Sequence, residues 1–583
     1  MEKVIYGSKM KKVDRYTIDI MGIPSMVLME RAAYSVFMEI KNNIDNNKDN
    51  NKDMTKRFLC LCGMGNNGAD GLAIARMLKL AGYITDVIVI GNEEKATDEW
   101  QSQKKIAKNC DLVVENICNY VAADEQTTYT NIRKKLKEYD YIVDSIFGIG
   151  LTRNVEGIYA QVIDAVNDEH ALRNKKTKPL EVYAVDVPSG LCADTGNIMG
   201  TAIYADKTVT FGMMKTGLLL YKGKDISGEV VVADIGFPDK AYDYALAKDE
   251  LCMVHTAEDI LKISKRKKHS NKGTYGKLAV IAGSENMYGA AYFTAKAALQ
   301  LGTGLVKIIT HENNRNLIYE GIPEVMIETY KNDTTENEME LLVKNTLNWC
   351  DVIVIGPGLS KSREARLLLK YAMEQAYLNK KHIVIDADGL NIIAENETLK
   401  EYYHEKTVIT PHIGEASRLT GLTSAEIAKD IIGVTASYAG GNRINVVQKD
   451  CTTVILGIES CVDKCNNRIC INTSGNPGMA TGGSGDVLAG MIGAVLAGGI
   501  DIDKLTEAWQ FSSSYDFTSG NVSTHELSSE LVLKESEYDK TFLATAMAVY
   551  IHGLAGNMAA NEMGETSMTA TDILKMIPKC LVS

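Results

Sequence analysis

Short apolar runs of strand length, each followed by a stretch of helical length, recur in two series along this chain, and that alternation leaves few folds open. In the first half the runs are RFLCLCG at 57–63, ITDVIVI at 84–90, YDYIVDSI at 139–146 and EVYAVDVP at 181–188. The series starts afresh at GKLAVIAGS, 276–284, and continues through LVKIIT, DVIVIGPG, HIVIDADG, KTVITPH and INVVQK. Strands alternating with helices build a parallel sheet covered by helices, so the fold class is α/β in both halves. At 583 residues the chain exceeds what one core fills, and two domains is the smallest count. The charged DKAYDYALAKDE and the basic SKRKKHSNK lie between the two series, in the connecting stretch 238–272. They set the boundary near residue 245, giving domains 1–245 and 246–583. No internal repeat is visible.

Three segments stand apart from the alternation. GIPSMVLMERAAYSVFMEI, 22–40, has helical apolar spacing with Pro24 at its start. The Asn-rich tract NNIDNNKDNNKD, 42–53, has little to bury and reads as a surface loop. The polar, Ser-rich stretch 511–540 reads as an insertion between two helices.

Composition narrows the partners. Apolar residues make up 45% and charged ones 24%, and no run reaches the roughly 18 apolar residues of a membrane span. The N-terminus lacks the apolar core of a secretory signal, so a cytoplasmic location is expected. A net charge of −12 disfavours nucleic acid and points to a small-molecule partner. Homo-oligomeric assembly is expected, with no stoichiometry legible. The 12 cysteines suit a reduced compartment. Cys461, Cys465 and Cys470 are too irregularly spaced for a zinc site, and Asn466-Asn467 reads as a hairpin turn.

Chemistry concentrates in the loops after strands. Gly63, Gly65 and Gly68 form G-x-G-x-x-G between a strand and a helix, where free N–H groups receive phosphate. Glu93 and Glu94 stand where a dehydrogenase would place a ribose-binding acid. Asn66, Asn67 and Asp70 crowd this loop with oxygens that such a fingerprint does not need, and Glu93-Glu94 lies in a charged stretch. Later strands end in Asp144 and Asp186, and such loops converge beyond the carboxyl ends of the strands. Asn67, Asp144 and Ser189 offer oxygen donors to a hard cation or, equally, caps for helices. In the second half Gly482, Gly483 and Gly485 open an apolar helix with Asp486 in its first turn. Such a start stabilises transferred phosphate while the carboxylate takes a proton; the plainer alternative is a glycine turn capped by Asp486.

GIPSMVLMERAA, NNGADGLAIAR, DSIFGIGLTRNVEGIY, VDVPSGLCADTG and TVTFGMMKTGLL, in this order, resemble the NAD(P)H-hydrate epimerase family across nearly the whole first half. The resemblance implies a Rossmann-like fold. It places substrate on Asn66, Asn67, Gly68, Ala69 and Asp70, on Gly148, Ile149, Gly150, Leu151, Thr152, Arg153 and Asn154, and on Tyr159 and Asp186. Asp186 also carries a catalytic part, and potassium (K+) is held by Asn67, Asp144 and Ser189. Ala69 replaces the family's usual glycine, which narrows the approach to phosphate by a methyl group.

NKGTYGKLAVIAGSENMYGAAYFTAKAAL, VIGPGL, IDADGLN, TPHIGE, NPGMATGGSGDVLAG and AVYIHGLAG resemble the ribokinase-like dehydratases of the same hydrates over about 255–583. The resemblance implies that Ala290, Gly358, His412 and Asp486 face the hydrated nucleotide. Lys449, Asp450, Cys451, Thr452 and Thr453, with Gly482, Gly483 and Gly485, would meet ADP or ATP, accompanied by Mg2+. Asp486 would be the base for phosphorylating the ring hydroxyl, after which phosphate leaves. Asn271 stands for the usual histidine, Ile413 for a proline, and QKDC at 448–451 for Lys-Gly. Asp450 thereby sets a carboxylate near nucleotide phosphates. The combined expectation is repair of NADH and NADPH hydrates, one domain interconverting the R and S epimers and the other dehydrating the S form. A vitamin or sugar kinase and a non-catalytic nucleotide-binding module are the rival readings.

Overall fold

Seven parallel strands form the sheet of the first unit, Lys3–Ala247, in the order Val113–Asn116, Ile84–Val89, Arg57–Cys62, Tyr141–Ser145, Glu181–Val185, Lys207–Phe211, Glu229–Ala233. The order reverses between Arg57–Cys62 and Tyr141–Ser145, and their carboxyl ends open a crevice there. Both strands are buried on both faces, which is why they appear in the sequence as unbroken apolar runs. In the same unit a further parallel pairing sets Val4 beside Met214 and Ile5 beside Lys215.

The computed structural model describes residues 1–46, 55–175, 179–246, 252–458, 467–505 and 529–581. Its second unit comprises Met1–Glu2 and Lys248–Ser583. There the strand order is Met326–Tyr330, Leu305–His311, Lys277–Ile281, Val352–Ile355, His382–Ile385, Thr407–Ile409, Asn445–Gln448, Thr453–Ile458, Asn467–Asn472, Cys252–Val254. Strands are parallel through Asn445–Gln448, and the next two pairings are antiparallel. The strand order of this sheet reverses too, between Lys277–Ile281 and Val352–Ile355. Helix Ser484–Ala497 crosses helix Tyr288–Gln300 so closely that a Cβ on Gly490 would lie 2.1 Å from the Thr294 carbonyl oxygen. That glycine serves packing.

Several expectations need correction. The helix expected to end near residue 40 runs Ser25–Asn46, because buried Val36, Ile40 and Ile44 continue one stripe under the Asn-rich surface; 47–53 of the supposed loop lie outside the described residues. Of the 511–540 insertion, 511–528 lie outside as well, and the rest belongs to the helix Ser529–Met563. The connecting stretch 238–272 is partly structured, with helix Asp239–Ala245 in the first unit and strand Cys252–Val254 beside Asn467–Asn472 in the second. Cys461, Cys465 and Asn466 lie outside the described residues, and Asn467 is already in a strand, opposite Ile458. Cys470 is buried. Among the described residues no three His, Cys, Asp or Glu side chains gather as for a metal. By length and composition Lys540–Met563 is apolar enough to cross a membrane, but 83% of its most apolar window is buried inside the protein. Its Phe542, Met547, Ile551 and Ala555 fill the core of the second unit.

Candidate active sites

In the first unit the crevice is built by chain crossings that leave no room for side chains. A Cβ on Gly63 would lie 2.0 Å from the Ile146 carbonyl oxygen, and one on Gly68 would lie 1.9 Å from that of Gly63. Two of the three motif glycines therefore let the loop fold onto itself. At Gly65, which is exposed, no atom lies within 4 Å of where a Cβ would stand. Ala69 is fully buried and packs in the core, so its methyl does not narrow the loop, contrary to expectation.

Asn67 Nδ2 donates to the Phe147 carbonyl at 3.0 Å. Ser189 Oγ is 3.2 Å from the same carbonyl and accepts from the Phe147 N–H at 2.8 Å. Asp144, fully buried, accepts from the Ser189 N–H at 2.7 Å, the Ser189 hydroxyl at 2.5 Å and the Ile146 N–H at 3.3 Å. Burial pushes its carboxyl up to about 6 against these hydrogen bonds. Two of the three residues expected to bind a cation, Asn67 and Ser189, thus meet at one backbone carbonyl, and Asp144 joins them through Ser189. Among the described residues none of the three caps a helix through its side chain; the N-cap of helix Asn66–Leu80 is Gly65.

Gly148 lies against the Asn67 side chain. Gly150, Thr152, Arg153 and Asn154 are exposed, while Ile149 and Leu151 pack partly against apolar neighbours. Tyr159 donates to the Ile90 carbonyl at 3.2 Å, its ring 5.0 Å from that of Phe147. Asn66 is exposed. Asp70 is buried, and desolvation, then the charges of Asp186 and Asp14, hold its carboxyl well above the usual range.

Asp186 follows its strand with φ +68°, a conformation costly for a non-glycine residue. One oxygen, Oδ1, accepts from Lys215 Nζ at 2.7 Å, the Thr210 hydroxyl at 3.0 Å and the Phe211 N–H at 3.2 Å. Lys215 and Thr210 were missed in the sequence. A lysine in GMMKTG looks like a surface residue, and only the fold shows it fully buried.

The second unit repeats the logic. Asp386 ends the strand His382–Ile385 ahead of Ala387, whose φ is +49°. Its Oδ1 accepts from Lys449 Nζ at 2.8 Å and the Thr410 hydroxyl at 2.7 Å. Lys449 donates its N–H to the Pro411 carbonyl at 2.8 Å, which pairs it with His412. Burial opposes the Lys449 charge, but Asp386, Glu415 and Asp486 hold its ammonium above the ordinary value. A Cβ on Gly485 would lie 3.6 Å from Lys449 Nζ and 3.8 Å from Asp386 Oδ2, while Gly482 has open space around it. Gly483, at φ +91°, begins the helix by backbone geometry alone. Asp486 takes no hydrogen bond among the described residues, so the capping alternative fails. Burial and then the Asp386 charge push its carboxyl up to about 7, with Lys449 pulling the other way.

Around this centre, a Cβ on Gly358 would lie 2.7 Å from that of Ala290, placing both at one spot; Ala290 lies one helical turn before Phe293, whose ring touches Gly483. His412 is exposed, caps helix Ile413–Thr420 through Nδ1 and faces Glu415. On the turn after Lys449, Asp450 is half-buried, Cys451 exposed, Thr452 buried, and Thr453 begins a strand. Asp386 and Glu415 were not singled out in the sequence.

The model of the NAD(P)H-hydrate dehydratase family matches residues 278–579, and that of the YjeF-related protein N-terminus matches residues 25–217. A bifunctional NAD(P)H-hydrate repair enzyme of Thermofilum pendens is 31% identical over 99% of this chain and 96% of its own length. One from Escherichia coli is 30% identical over 99% and 93%. A solved ADP/ATP-dependent NAD(P)H-hydrate dehydratase of Bacillus subtilis, co-crystallized with ATP/Mg2+, covers 56% of this chain and 97% of its own at 22% identity and TM-score 0.40.

Proposed function

The chain belongs to the NAD(P)H-hydrate repair enzymes, and on that footing we propose that residues 1–245 interconvert the R and S hydrates of NADH and NADPH while 246–583 dehydrate the S form using ADP or ATP. The observation that carries the reading is Asp486, unbonded and raised to about 7, beside the Lys449–Asp386 pair at a glycine-opened helix start.

The chemistry follows from the substrate. An enamine is protonated at the carbon β to nitrogen, so hydration leaves the hydroxyl on the ring carbon bonded to nitrogen. Hydroxide leaves poorly. The nucleotide supplies the phosphoryl group that converts it to phosphate. Asp486 takes the hydroxyl proton, while the backbone at Gly482 and Gly485, the start of the helix dipole and Lys449 neutralise phosphate charge. Asp386 keeps the Lys449 ammonium in place. Loss of phosphate and of the neighbouring C–H proton restores the dihydropyridine.

The residues fit the two cations. Mg2+ uses one or two carboxylates and completes its shell with phosphates and water, and Asp386 Oδ2, which accepts neither the Lys449 nor the Thr410 bond, would be available for that. Potassium suits the oxygen set of Asn67, Asp144, Ser189 and the Phe147 carbonyl, where it would offset the buried Asp144 charge.

A general base titrating near 7 gives the test. Asp486 goes from mostly protonated to mostly ionised between about pH 6 and about pH 8, so nucleotide-dependent recovery of NADH from the S hydrate is expected to rise about tenfold over that range. A rate independent of pH there, at saturating substrate and with chemistry limiting, removes Asp486 as the base.

A further inference from the structure

The first unit contains an ion pair that the resemblance does not account for. Lys215 has no exposed surface, and its Nζ has three acceptors: Asp186 Oδ1 at 2.7 Å, Thr210 Oγ1 at 2.8 Å and the Phe211 carbonyl at 2.6 Å. Thr210 gives its own proton to Asp186, so its oxygen can only accept from the lysine. Three acceptors use all three N–H bonds of an ammonium, whereas a neutral amine has two. Burial works against the charge, but the geometry requires it. Asp186 Oδ1 in turn faces three donors and no acceptor, the arrangement of an ionised carboxylate.

The other oxygen differs. Asp186 Oδ2 accepts no hydrogen bond among the described residues, and the side chain keeps 11% exposure. Backbone geometry turns it out of the sheet: φ is +68°, and the Val187 N–H returns to the Val185 carbonyl at 2.9 Å, closing a three-residue turn around Asp186. Strain held this tightly at a strand end is characteristic of functional positions. The remaining charged groups near Asp186 are acids, Asp14 from helix Gly7–Asp19 and Asp70 from helix Asn66–Leu80, and its charge raises the carboxyls of both. Among the described residues Lys215 is the one cation bonded to it.

We propose that Lys215 is a positioning residue for epimerisation, locking one oxygen of Asp186 as a carboxylate so that the other takes the hydroxyl proton of the hydrate. This rests on the epimerase reading. In the step, the O–H proton passes to Asp186 Oδ2 as the carbon–nitrogen bond beside the hydroxyl breaks. Its electron pair goes to the ring nitrogen, delocalised through the remaining double bond onto the carboxamide. The aldehyde rotates, the nitrogen re-adds to its opposite face, and Asp186 returns the proton. Nothing is oxidised or reduced.

The test uses full-length protein and pure S hydrate without nucleotide, with R hydrate quantified by chromatography. An opposite charge in contact favours the ionised form of a carboxyl by about one to three pH units, so Lys215→Met is expected to shift the pH profile of epimerisation upward by about that amount, with the loss of rate greatest on the acid side. Dehydration of the S hydrate with nucleotide, measured on the same sample, stays unchanged. Thr210→Val, which removes one donor from Asp186 and one acceptor from Lys215, is expected to shift the profile in the same direction by a smaller amount. An equal loss at every pH in folded Lys215→Met overturns the proposal; if that variant does not fold, a wild-type profile in Thr210→Val overturns it. Wild-type protein that never forms R hydrate refutes the epimerase reading instead.

Discussion

Replacing Asp486 by Asn is expected to lower nucleotide-dependent dehydration by about 10²- to 10⁴-fold, the usual cost of losing a general base, with the melting temperature at or slightly above wild type. The two halves of that expectation have different physical sources. The rate falls because an amide cannot accept the hydroxyl proton. Stability holds because Asp486 makes no hydrogen bond among the described residues and the helix begins on Gly483 without a side-chain cap. Burial and the Asp386 charge already penalise the ionised form, so a neutral isostere relieves repulsion. Nucleotide binding is expected to persist, since Lys449 keeps its bond to Asp386. Near wild-type turnover by a folded variant removes Asp486 from the mechanism, and a large fall in melting temperature makes it structural.

Asp186→Asn should behave differently although the substitution is the same. Epimerisation is expected to fall by a similar factor of about 10² to 10⁴. The change also strips the partner from a fully buried ammonium, and breaking a buried pair from one side typically costs about 3 to 5 kcal/mol. The variant is therefore expected to be inactive in epimerisation and less stable. Adding Lys215→Met removes the orphaned charge, so the double variant should recover most of the stability and none of the activity. Thermal melts with R-hydrate formation separate the two effects: a double variant that regains epimerisation shows that Asp186 is not the base.

What the sequence revealed, and what it hid, follows from burial. Central strands such as Tyr141–Ser145 and Val352–Ile355 are covered on both faces and stand out as apolar runs. Val113–Asn116 and Met326–Tyr330 lie at sheet edges with exposed or half-exposed positions, and their mixed composition hid them; Glu229–Ala233, also at an edge, was missed although EVVVA is an apolar run. Lys207–Phe211 was hidden by its buried threonines. Asn67, Asp144, Ser189 and Asp486 stood out in the sequence as oxygen-bearing side chains at strand ends and beside a glycine cluster, but helix capping explained them as well until the fold showed no such caps. Asp386 and Lys449 lie 63 residues apart and Asp186 and Lys215 lie 29 apart. Lys215 has no reading until the sheet brings it to its acid, and Lys449, expected only to meet nucleotide, gains its Asp386 partner the same way. The glycines of the first loop were legible as a motif, but the need for two of them is the chain crossing itself.

Recovery of cofactor from each epimer, counted against phosphate, bears most directly on the whole account. Full-length protein is given pure R or pure S hydrate of NADH with ADP or ATP, and NADH absorbance and free phosphate are followed together. The expected result is no NADH without nucleotide, full recovery from both epimers with it, and one phosphate released per NADH formed. A phosphorylated hydrate that accumulates without regenerating NADH would make the second unit a kinase, and recovery confined to the S epimer would leave the first unit without its activity.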